Sequence, residues 1–96
     1  MDTATLQRLP GHELVLTGIA DLAAGRETEE SLVVALVAER LRDTGVEVPA
    51  TAPGRAGHRL YLRLAQEHGD GAHSRYNALF ARVVSFARAA EHAAAR

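Results

Sequence analysis

Apolar residues recur along this chain at helical spacing. Val15, Ile19 and Leu22, with Leu14 and Leu16 beside them, share one face of a segment from about Pro10 to Ala24. Leu32, Val33, Leu36, Val37 and Leu41 repeat the pattern between Thr28 and Asp43, and Val34 widens that face, so this helix should be the most buried. Leu60, Tyr61, Leu64 and Ala65 point inward in a helix from Ala56 to His68. The longest run, Gly69 to Arg96, carries Tyr76, Leu79, Phe80, Val83, Val84, Ala87 and Ala90 on a broad inner face, with Phe86 at its edge. A short leading helix from Thr3 to Leu9 would bury Leu6 and Leu9. No segment alternates over enough residues to argue for a strand.

Punctuation residues fit these boundaries. Thr3 or Thr5 caps the first helix, Leu9-Pro10-Gly11 breaks it, and Pro10 sits in the first turn of the next, where its missing N–H costs little. Gly25 is a stop. Thr28 caps the third helix, with Glu29 and Glu30 complementing its dipole, and Gly45 closes it behind Arg40 and Arg42. Residues 45–57 form a Pro/Gly linker in which Val46 and Val48 can plug a gap between helices. Gly69 ends the fourth helix and Asp70 caps the fifth, so the last two should form a tight hairpin. The expected fold is all-α: a compact bundle of four to five helices with a C-terminal helical hairpin, in a single domain of 96 residues.

Composition sharpens this mainly by exclusion. Apolar residues make up 47% of the chain, yet the only aromatics are Tyr61, Tyr76, Phe80 and Phe86, so the core must be Leu, Val and Ala. There is no Cys, which excludes disulfides, thiolate nucleophiles and cysteine zinc sites. Every basic residue other than histidine is Arg, which excludes Schiff-base chemistry and a Walker-type phosphate lysine. No apolar run spans a bilayer, and the acidic start Met1-Asp2-Thr3 has the wrong sign for a secretory leader, so a soluble cytoplasmic protein is expected.

The net charge of −1 divides unevenly, with −5 over residues 1–48 and +4 over residues 49–96. Either the basic half binds nucleic acid, or the halves pack on each other or on a second copy with complementary fields. The second reading is preferred, since a dedicated nucleic-acid binder usually carries a basic net charge.

Candidate chemistry gathers around the last helix. His73 and Asn77 are four residues apart and share a face, and His73, Arg75 and Asn77 at a helix N-terminus would form an anion site. His68, Asp70 and His73 flank the hairpin turn at spacings that could converge on a divalent metal, but no fourth ligand accompanies them, so no metal or cofactor is expected. Arg63-Leu64-Ala65-Gln66-Glu67-His68 places an Arg and a His at the two ends of a six-residue segment, with four residues between them. This resembles the signature of HEPN-type helical ribonucleases, with Leu64 where that family often carries a polar residue. The resemblance implies a dimer whose Arg63 and His68 bind and activate an RNA phosphodiester.

Ser74, Ala78, Ala81, Ser85 and Ala89 form an uncharged strip of small side chains that another helix could approach closely. The sequence therefore predicts a non-enzymatic interaction module, homodimeric through this strip, with another protein as a further partner. An RNA-cleaving or anion-binding protein using Arg63, His68, His73 and Arg75 is the rival.

Overall fold

A computed structural model describes residues 1–50 and 54–95. It contains α1 (Thr3–Leu6), α2 (His12–Ala23), α3 (Glu29–Leu36), α4 (Ala38–Asp43), α5 (Ala56–His68) and α6 (Ala72–Ala94), with a 3-10 turn at Gly69–Gly71. No strand occurs among the described residues. The fold is the expected all-α bundle, with five helices if α3 and α4 are counted as one helix interrupted at Val37. That interruption corrects the expected single helix from Thr28 to Asp43: Val37 lies at φ −116°, ψ 16°, off the α-helical region. α5 and α6 form the hairpin, folding back so that the Tyr61 and Tyr76 ring centroids are 6.1 Å apart.

Several ends differ from expectation for local reasons. Asp2, rather than Thr3 or Thr5, caps α1 by accepting from the Thr5 N–H at 2.8 Å. Pro10 lies outside α2, and Gly11 is the N-cap at φ 79°. A Cβ at Gly11 would lie 3.0 Å from the Arg82 carbonyl oxygen, so its bareness lets α6 lie against the start of α2. Asp70 does not cap α6; it is held within the 3-10 turn, and Gly71 is the N-cap with no side-chain bond. Thr28 caps α3 as expected, and Ser31 completes a reciprocal capping box.

The core lies where α2, α3, α5 and α6 meet, with Val15, Leu32, Val33, Val34, Leu60, Leu64, Val83 and Phe86 fully buried. Val46 and Val48 are buried as expected. The linker that carries them is fastened by Arg42, which donates to the carbonyls of Val48 at 3.2 Å and Pro49 at 2.7 Å. Residues 51–53 of that linker, and Arg96, lie outside the described residues.

The inner face of α6 is rotated from the expected one. Ala72, Leu79, Val83, Phe86, Ala87 and Ala90 are buried, whereas Phe80 is 41% exposed. Phe86 therefore occupies the centre of the core rather than its edge. Tyr61 is 42% exposed and Ala65 is exposed, so α5 seats only Leu60 and Leu64 of the four residues expected inside.

Candidate functional site

Where α3, α5 and α6 meet beside the hairpin turn, five charged or titratable side chains converge. Glu29 is the first residue of α3, where a carboxylate complements the helix dipole. Arg63, Glu67 and His68 lie along the last turns of α5, and Arg75 in the first turn of α6. Arg75 Nε approaches Glu29 Oε1 at 3.4 Å, and His68 Nε2 lies 3.7 Å from the same oxygen. His68 Nε2 is also 3.9 Å from Glu67 Oε2, while Arg63 Nε is 3.3 Å from Glu67 Oε1. The Arg63 contact lacks hydrogen-bond alignment, leaving a buried Nε without a hydrogen-bond partner. Arg63 and His68 are thus brought together, but around two carboxylates. Both side chains are 39% exposed.

The three expected anion ligands do not converge. Asn77 Nδ2 and His73 Nε2 are 3.3 Å apart in an exposed i, i+4 pair. At roughly 100° per residue, Arg75 projects from the other side of α6, toward Glu29. Likewise His68 faces Glu29 and Glu67 rather than joining Asp70 and His73. The part played by Glu29 was hidden in the sequence: its position explains it as a dipole residue, and nothing local brings it against an α5 side chain 39 positions away.

The strip on α6 lies opposite the buried face. Ser74, Ala78, Ala81 and Ser85 are exposed and Ala89 is half-buried. Pro10 and Gly11 lie along one edge of it, and with Ala81, Arg82 and Ser85 they line an open groove of about 260 Å³. On the same hairpin, Tyr76 stacks near Phe80 at 6.4 Å, and Tyr61 and Leu62 are exposed.

Ion pairs elsewhere tie the acidic half to the basic half. Arg59 binds Glu27 through two hydrogen bonds of 2.7 and 2.5 Å, and Arg40 binds Glu91 through two of 2.7 and 2.8 Å. These hydrogen bonds hold the carboxyls of Glu27 and Glu91 below the usual glutamate range. Asp21, nearly buried, is held low first by the hydroxyl of Thr28, which donates at 2.7 Å, and then by Arg26. No helix among the described residues is long and apolar enough to cross a membrane. No family model, curated protein or solved structure matches this chain.

Proposed function

We propose that this protein is a non-enzymatic interaction module that pairs with a second copy of itself through the outward face of α6. The observation that carries this reading is the strip Ser74, Ala78, Ala81, Ser85 and Ala89, uncharged over about four turns of a helix whose opposite face fills the core. A purely solvated helix face usually carries charged residues at these spacings. Small side chains instead allow two helix axes to approach closely and pack along their length.

Sedimentation of the purified protein tests this. A dimer is expected, and Ala81→Glu or Ser85→Arg should convert it to a monomer with unchanged helix content, because both positions are exposed. A wild-type monomer, or a dimer indifferent to both changes, overturns the proposal. A second reading, docking of an acidic partner protein, is favoured by Arg82, which borders the strip and has no ion-pair partner among the described residues.

A further inference from the structure

We propose that Glu29, Glu67 and His68 form a binding site for a dication of the zinc class, clamping the start of α3 to the end of α5. One ligand atom from each of the three lies within 4.8 Å of the others. His68 Nε2 is aimed at Glu29 Oε1 and Glu67 Oε2 yet bonds neither, since 3.7 and 3.9 Å are too long for hydrogen bonds. Those separations are instead close to the roughly 3.4 Å that two ligands keep when each lies about 2.1 Å from a tetrahedral zinc. A small rotation of three surface side chains would close the remaining gap around an ion.

The donor set selects the metal. One imidazole nitrogen with two carboxylate oxygens suits zinc and its neighbours, whereas magnesium and calcium prefer oxygen alone. The two carboxylates are already neutralised by Arg63 and Arg75, so a dication would have to compete with both guanidinium groups. Arg63 contacts Glu67 Oε1 at 3.3 Å, and Arg75 donates at 3.4 Å to Glu29 Oε1, the oxygen that faces His68, so an ion must share that oxygen with Arg75 or take Glu29 Oε2. The two arginine charges oppose the ion, which limits its affinity, but their contacts also orient the two ligating groups. Turning Glu67 to ligate through Oε2 leaves Oε1 for the buried Arg63 Nε, the one buried side-chain polar atom without a hydrogen bond among the described residues. The ligands are accessible, with side-chain exposures of 17% for Glu29, 41% for Glu67 and 39% for His68. This site is independent of the pairing face of α6.

Calorimetric titration of the whole chain with zinc chloride, alongside thermal unfolding with and without the metal, tests the site. One zinc per chain is expected, with a micromolar Kd and a higher unfolding temperature in its presence, because an ion bound only by the folded state stabilises it. Magnesium should produce neither effect. His68→Ala and Glu29→Gln should each weaken zinc binding by about tenfold or more, while His73→Ala should leave it unchanged. These positions are outside the core, so each variant should keep the circular dichroism of the wild type. Absence of zinc binding overturns the proposal, as does binding that survives His68→Ala or that is lost with His73→Ala.

Discussion

Gly18 sets how closely α2 and α3 approach each other. A Cβ there would lie 2.4 Å from Val34 Cγ2 and 2.5 Å from the Glu30 carbonyl oxygen, so α2 and α3 touch backbone to backbone at this point. Valine can change rotamer, but the carbonyl belongs to a helix and can retreat only if the helix moves. Gly18→Ala should therefore lose stability at or above the top of the roughly 1–3 kcal/mol usual for overpacking, despite alanine's better helix propensity. Urea unfolding measures this, and an unchanged or raised midpoint would contradict the close approach. Nothing in the spacing of the sequence singles out Gly18, because its neighbour across the interface lies on another helix. The exchange of Phe80 and Phe86 has a similar origin. Both lie on or next to the apolar arc of α6, and periodicity gives the width of such an arc better than its centre. The centre is set by where α2, α3 and α5 lie around it, which puts Phe86 at 0% exposure and Phe80 at 41%.

At the scale of elements, the start of α3 is the best-read feature and its end the worst. A Thr preceding two acids signals a cap, and Thr28 accepts the Ser31 N–H at 3.0 Å. The same hydroxyl donates to Asp21 on α2, so the cap also joins two helices. Thr28→Ala removes both bonds and should cost about 1–2 kcal/mol, measurable as a lower urea midpoint without a change of slope. Acid should act on the same joint. The carboxyls of Asp21, Glu27 and Glu91 lie below their ordinary values in the folded protein. Groups depressed in this way stabilise the fold above the unfolded-state range of about pH 4, and that stability is lost as pH falls through the lower folded values. The unfolding temperature should thus stay nearly level down to about pH 5 and fall below it, with a smaller acid-dependent drop in Thr28→Ala. An equal drop in both proteins would remove Thr28 from the linkage. The break at Val37 has no comparable signal, since no Pro or Gly marks it and the apolar spacing continues through it. Its consequence is visible only in three dimensions: α4 carries Arg40 to Glu91 while Leu41 stays fully buried.

Across the whole molecule, the charge asymmetry was legible as two totals, but its use depends on which residues meet. Glu27 with Arg59 and Glu29 with Arg75 satisfy part of the complementarity inside one chain, whereas Arg40 with Glu91 pairs the halves in the opposite sense. What remains on the outward face of α6 is basic: Arg82 and Arg88 flank the uncharged strip and are exposed. If two such faces pair, whether parallel or antiparallel, arginines from both copies border the same seam, and their repulsion opposes the packing of Ala78 and Ala81 across it. Salt screens that repulsion, with the Debye length falling from about 10 Å at 0.1 M to about 3 Å at 1 M. Self-association through α6 should consequently tighten as sodium chloride rises from about 0.05 to about 0.5 M, and Arg82→Gln should tighten it at low salt while flattening the dependence. Docking of an acidic surface against the same face has the opposite sign: salt weakens it, and so does Arg82→Gln. Sedimentation equilibrium across that salt range, on the wild type and Arg82→Gln, separates the two. A dimer that loosens with salt would mean that the arginines attract rather than repel what lies opposite, and the pairing of α6 with its own copy would have to be abandoned.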